Sequence, residues 1–274
     1  MTTKGNLIIS FEGIGSSGKT TQADILTERL WKDYRVVMNK IINRELLASA
    51  LKPFSDRPAE KFWVAYLPEV ELGTDLIAFM ALYKHRYAQI VSQLPKARHI
   101  IIIERYLYSS FAQAAARMVL DEISKACKCS STSPDMLAEL MLRESQRKHA
   151  EFESVLEKYT SMGIARRRAD IENLYQFFLG FKRIMEWPRL TVIFDVPIKD
   201  VRLREIRREN RAYTDGDVLY STIVSKLYGF MARKEPESVF TIDGSGTREE
   251  IADEVLKLVR SRCKLSAYRK RGHR

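Results

Sequence analysis

Gly13-Ile14-Gly15-Ser16-Ser17-Gly18-Lys19-Thr20 satisfies G-x-x-x-x-G-K-[ST] at every required position. Before it, Leu7-Ile8-Ile9-Ser10-Phe11 reads as a short buried strand. After it, Ala23, Leu26, Leu30 and Trp31 recur at helical spacing. Strand, glycine-rich turn and helix form the setting that this motif requires. Gly13 and Gly18 let the backbone curl so that successive N–H groups point at phosphate oxygens. The helix starting near Lys19 adds its positive end. Lys19 suits the β- and γ-phosphates, and the Thr20 hydroxyl suits a Mg²⁺ position. A chance glycine-rich turn would lack the flanking strand and helix, so the stretch reads as a nucleoside-triphosphate cradle.

The rest of the 274-residue chain fits a soluble globular protein, with 45% hydrophobic and 30% charged residues. The strongest apolar run, Ile100-Ile101-Ile102-Ile103, is a strand's worth and far short of a membrane span. The N-terminus enters the first strand at once, so no signal peptide is expected, and the cytoplasm is the expected compartment. Three cysteines, Cys127, Cys129 and Cys263, are too few for a disulfide framework or a zinc site. Cys127 and Cys129 are expected as surface thiols. The net charge of +11 suits nucleic acid or clustered phosphates of small nucleotides equally. Its basic clusters are Arg166-Arg167-Arg168, the segment 202–211 and the tail 264–274, which is expected to be a solvated end.

Further strands are expected at 34–42, 99–103, 190–195 and 239–242. Helices are expected at 69–94, 109–120, 171–187, 199–210, 218–232 and 248–262. Residues 121–169 differ in composition and read as a helical insertion, with charged helical patterns at 136–148 and 152–159. Short apolar strands alternating with helices predict an α/β fold of three layers, a five-stranded parallel sheet with helices on both faces. Ligands then bind at the carboxyl ends of the strands. Gly13–Thr20, Arg44, Glu104-Arg105 and Asp195-Val196-Pro197 would gather on that rim.

These residues resemble the thymidylate kinase family of P-loop nucleoside-monophosphate kinases. Phe11-Glu12-Gly13-Ile14-Gly15-Ser16-Ser17-Gly18-Lys19-Thr20-Thr21-Gln22 resembles the family's F-E-G-x-D-G-S-G-K-[ST]-T-Q, and Glu104-Arg105-Tyr106-Leu107-Tyr108-Ser109-Ser110-Phe111-Ala112-Gln113 its D-R-Y-x-x-S-x-x-A-Y-Q. Phe194-Asp195-Val196-Pro197 is similar to L-D-V-P, and Ile242-Asp243-Gly244-Ser245 to the I-D-A-S loop beside the donor's adenine. The resemblance implies transfer of the ATP γ-phosphate to a (deoxy)pyrimidine monophosphate, dTMP above all, with Mg²⁺ and as a homodimer. ATP would contact Gly13, Gly15, Ser16, Ser17, Gly18, Lys19, Thr20 and Thr21, with Asp243 and Gly244 near its base. Thr20 and Glu104 would hold the metal. The acceptor would meet Glu12, Arg44, Leu82, Arg86, Arg105, Tyr106, Ser109 and Gln113.

Physics gives these positions their tasks. An acceptor monophosphate is largely dianionic at neutral pH, its second pKa being about 6, so it needs cations and no base. Arg105 and Arg44 offer the planar fork that suits phosphate oxygens. The segment 202–211 resembles the family's mobile lid. Ser16 stands where some members carry an arginine in the loop, so the lid must supply it from Arg207, Arg208 or Arg211. Three departures fall on the acceptor side. Gly15 replaces an aspartate that engages the acceptor sugar, Leu82 replaces a stacking phenylalanine, and Arg44-Glu45-Leu46 replaces R-E-P-G-G-T. Two other readings stand beside this one. A deoxynucleoside kinase would need a carboxylate base near the end of the second strand, where Glu45 lies. A non-catalytic ATP-binding module would use 121–169 and the tail to hold a partner or RNA.

Overall fold

The computed structural model describes residues 5–39, 87–88, 91–92, 94, 97–209 and 212–269. The expected helix at 69–94, the end of the second strand, and the positions Arg44, Glu45, Leu82, Arg86 and Arg211 lie wholly or largely outside them.

Five strands, β1 (Leu7–Glu12), β2 (Val36–Asn39), β3 (Ile100–Glu104), β4 (Leu190–Asp195) and β5 (Val239–Asp243), form one sheet of order β2-β3-β1-β4-β5. Every pairing is parallel. The fold is the expected α/β architecture, a five-stranded parallel sheet with helices on both faces. Parallel sheets bury both faces, which is why these strands are continuous apolar runs rather than alternating ones. Ile100 to Ile103 are each 0% exposed, and burying such a side chain contributes about 1.5–3 kcal/mol.

Period-two alternation splits the sheet's side chains between two cores. Leu7, Ile9 and Phe11 pack with Leu26 of α1 (Lys19–Trp31) and with Val255 and Val259 of α8 (Arg248–Arg262). Ile8, Ile101 and Ile103 face the opposite layer, built from α2 (Leu107–Ala126), α5 (Arg168–Gly180) and α7 (Asp215–Lys234). Between β1 and β4 the fully buried Ser10 and Thr191 hydroxyls satisfy each other at 2.9 Å.

Residues 121–169 supply α3 (Pro134–Lys148) and α4 (Phe152–Arg166), and these helices belong to the second core. Leu137, Met141, Val155 and Leu156 are buried in the same cluster as α2 and α7. The Thr214 hydroxyl donates to Asp135 at 2.7 Å, and Lys226 pairs with Glu157 at 2.8 Å. Helix α4 runs on beyond the expected stop at Tyr159, because Gly163 is where it lies against Val119 and Ile123 of α2.

Two further expectations change. The helix expected over 171–187 ends at Gly180 and gives way to a 3-10 turn at Phe181–Arg183. Trp187 instead folds inward, its indole N–H donating to the Tyr108 hydroxyl at 3.0 Å and its ring 4.9 Å from Phe178. The following Pro188 also disfavours helical backbone at Trp187. Cys127 and Cys129 are partly buried rather than surface thiols, and Cys263 is buried. Leu265–Tyr268 forms a 3-10 turn with Leu265 inside the first core, so the start of the basic tail is packed. Among the described residues no helix is long and apolar enough to cross a membrane.

Candidate active site

The order of the sheet puts the carboxyl end of β1 between those of β3 and β4, where crossovers leave the sheet in opposite directions. The loop from Gly13 to Gly18 begins there. Gly13 has φ 138°, and a Cβ on it would lie 2.8 Å from both the Phe194 carbonyl and the Ser17 hydroxyl. Only glycine serves at that approach. Helix α1 starts at Lys19 with no acidic residue in its first turn, so its free amides keep their attraction for an anion. Lys19 is 4% exposed, and its ammonium donates to the Ile14 carbonyl at 2.5 Å and to the Ser17 hydroxyl at 3.0 Å. Burial, with help from the nearby Arg105 charge, lowers its pKa to about 7.

Register brings the two expected metal ligands together. Phe11 lies opposite Glu104, so the end of β3 stands beside the loop. The Thr20 hydroxyl reaches both Glu104 carboxylate oxygens at 2.9 Å. These are hard oxygen donors, suited to Mg²⁺, which takes one or two protein ligands and completes its shell with phosphate and water. Among the described residues no larger cluster of metal-binding side chains occurs. Arg105 follows Glu104 in the left-handed conformation, φ 50°, with its N–H donating to the Phe11 carbonyl at 2.9 Å.

Two cavities meet at this point. The larger, about 650 Å³, runs along residues 15–22 and is also lined by Glu104, Arg105, Arg204, Arg207 and Arg248. The smaller, about 240 Å³, lies between Ile14, Gln113 and the α7 side chains Asp217, Tyr220 and Tyr228. Gly15, Arg105 and Glu205 line both. Of the expected ATP contacts, Gly15, Ser16, Ser17, Gly18, Lys19, Thr20 and Thr21 border the larger cavity. Asp243 is exposed and caps the Ser245 N–H at 2.9 Å, while the Gly244 N–H donates to the Asp195 carbonyl at 2.7 Å.

The segment expected as a lid forms α6 (Ile198–Glu209). Arg207 lines the larger cavity; the Arg208 side chain and Arg211 lie outside the described residues. Sequence reading passed over the two lid residues that touch the loop. Arg204 donates to the Gly244 carbonyl at 2.8 Å and to the Ser16 carbonyl at 3.5 Å. The Ser16 hydroxyl donates to Glu205 at 2.5 Å. A Cβ on Gly15 would come 3.2 Å from the same Glu205 oxygen, so the small residue there leaves room for the lid carboxylate. The signal was available in the helical period. Val201 is 0% exposed, and positions three and four residues on share its face. The apolar Leu203 and Ile206, which a hydrophobicity reading would put inside, are 53% and 46% exposed.

On the acceptor side the expected residues divide. Arg105 and Gln113 border the smaller cavity. Glu12, Tyr106 and Ser109 are interior: Glu12 accepts from the Tyr106 N–H at 2.9 Å and from the Ser109 hydroxyl, and the Tyr106 hydroxyl donates to the Glu186 carbonyl at 3.1 Å. Tyr213, Tyr220 and Tyr228, which the sequence did not single out, supply much of that cavity's wall.

No family model matches the chain. A thymidylate kinase of Pelobacter propionicus is 25% identical over 257 residues, covering 92% of each chain. A thymidylate kinase of Ehrlichia canis is 28% identical over 106 residues, which is 39% of this chain and 50% of that one, so this match spans half the relative's length. A solved thymidylate kinase from Ehrlichia chaffeensis is 18% identical with a TM-score of 0.49, covering 93% of this chain and 99% of its own. The sequence relatives, taken with the cradle, the Thr20–Glu104 pair and Arg105 beside them, support placing the chain in the thymidylate kinase family.

Proposed function

We propose that the protein is a nucleoside-monophosphate kinase that transfers the ATP γ-phosphate to a deoxypyrimidine monophosphate, dTMP first, and that it works with Mg²⁺. The observation that carries this reading is the shared wall of the two cavities, where Arg105 stands beyond Lys19 and the Thr20–Glu104 pair. The loop amides and Lys19 hold the triphosphate. Thr20 and Glu104 would hold Mg²⁺, which when bound offsets the charge on the β- and γ-phosphates. Arg105 draws the acceptor phosphate to the same junction. That phosphate is already an anion and is its own nucleophile, so the site needs alignment and cations rather than a base. Arg204 and Arg207, on the lid helix, face the cradle and suit the charge that develops during transfer. The homodimer and the cytoplasmic setting remain parts of this proposal.

The competing view, an RNA- or partner-holding module, would draw on free basic groups in 121–169. Here Arg166 pairs with Glu122, Arg167 with Asp121 and Asp170, and Arg168 with Glu172, which favours the kinase reading. The test is a screen of dTMP, dUMP, dCMP, UMP and thymidine with ATP and Mg²⁺. Phosphorylation of dTMP ahead of thymidine is expected. Transfer to thymidine alone would favour a deoxynucleoside kinase, and no transfer with salt-sensitive RNA retention would favour the module.

A further inference from the structure

Glu12 is 0% exposed and ends β1, immediately before the loop that forms the cradle. A carboxylate in that position is costly unless its oxygens are satisfied. One oxygen accepts the Tyr106 N–H at 2.9 Å, and the other accepts the Ser109 hydroxyl. Tyr106 is the residue directly after Arg105, whose left-handed backbone is strained for a residue with a side chain. The Ser109 oxygen lies 3.0 Å from the Tyr228 hydroxyl, which sits beside the Gly13 backbone and on the wall of the smaller cavity. The chain therefore ties the turn carrying Arg105 to the first residue of the cradle in two ways: through covalent bonds from Glu12 to Gly13, and through Ser109 and Tyr228.

We propose that Glu12 is a positioning residue that fixes the distance and direction between the triphosphate cradle and Arg105, and does not itself touch substrate. This deepens the kinase reading and rests on it for its catalytic consequence. In-line transfer is sensitive to placement on the scale of about 1 Å, which can cost about a hundredfold in rate. Burial raises the Glu12 carboxyl pKa above the usual carboxylate range, outweighing its two hydrogen bonds and the charges of Arg105 and Lys19.

The variant Glu12→Gln keeps the side chain's size and an acceptor for Tyr106 but turns a donor toward the Ser109 hydroxyl. It should lower kcat with dTMP by about 10- to 100-fold, while binding of a non-hydrolysable Mg²⁺–ATP analogue changes less than about threefold. Ser109→Ala should move the same quantities in the same direction by less. Hydrogen exchange at the Tyr106 amide should accelerate in both variants, with the β1–β3 amides unchanged. Full activity in both variants, an equal loss of analogue binding, or an unchanged Tyr106 amide would each overturn the proposal. If Glu12→Gln does not fold, Ser109→Ala and its exchange profile decide. If the wild type phosphorylates no monophosphate, the kinase reading fails separately, and Tyr106 exchange still decides whether Glu12 holds this turn.

Discussion

The two cavities that meet at Gly15 are built in different ways. The larger rests on one unbroken stretch, residues 15–22, whose backbone turn and helix start create the anion site by themselves. The smaller is assembled from the loop, the end of β3, α2, the lid helix and α7, each brought in by a different part of the sheet and its core. The first depends on local conformation and the second on long-range packing. Chemistry at the cradle should accordingly be sensitive to single side chains. Acceptor binding should respond to single changes but also to distant ones.

That contrast can be broken most sharply at Lys19. Replacing it with alanine removes the ammonium from the cradle and should lower turnover by about a thousandfold in steady-state assays; an undiminished rate would end the account of the cradle. Arg105→Ala should lower kcat/KM for the monophosphate by about a hundredfold while ATP-analogue affinity shifts less than about threefold. Equal damage to both ligands would mean that the two cavities are not the separate grips described above. Thr20→Val should raise the Mg²⁺ concentration for half-maximal rate by about tenfold, read from a metal titration. Arg204→Ala removes two contacts with backbone carbonyls and should weaken ATP by a somewhat smaller factor, about fivefold.

An effect of similar size is expected from pH. In the protein alone Lys19 has a pKa lowered to about 7, and bound triphosphate favours its charged form. Binding must then take up a proton above that pH, so affinity should fall as pH rises through 7, by about fivefold between pH 7 and 8. Calorimetry in buffers of different ionisation enthalpy reads that uptake, which should vanish in Lys19→Ala.

How much was legible follows the same division. The cradle and the strand ends could be read because each rests on a contiguous stretch with a fixed local geometry; Thr20 and Glu104, 84 positions apart, could be matched because each sits in such a stretch. Arg204 and Glu205 were missed because the lid's inward face is marked by one buried valine, Val201, while its more conspicuous apolar residues point outward. Glu12 was read as a substrate contact by resemblance; its buried partners, Tyr106 and Ser109, lie more than ninety positions away in sequence and meet it only through the β1–β3 pairing. Residues 121–169 read as a helical insertion because their composition differs from the rest of the chain and their helical patterns are strongly charged. Their apolar positions are spaced too sparsely to announce that they complete a core begun by α2 and α7.

The central claim is that Lys19 and Arg105 hold two phosphate groups in line across one junction. A bisubstrate probe, adenosine and thymidine joined 5′ to 5′ through a chain of five phosphates, measures this directly by calorimetry with Mg²⁺. The account predicts binding tighter than either nucleotide alone, and a loss of at least about tenfold in both Lys19→Ala and Arg105→Ala. A probe that binds no better than ATP, or that binds Arg105→Ala as it binds the wild type, would contradict it.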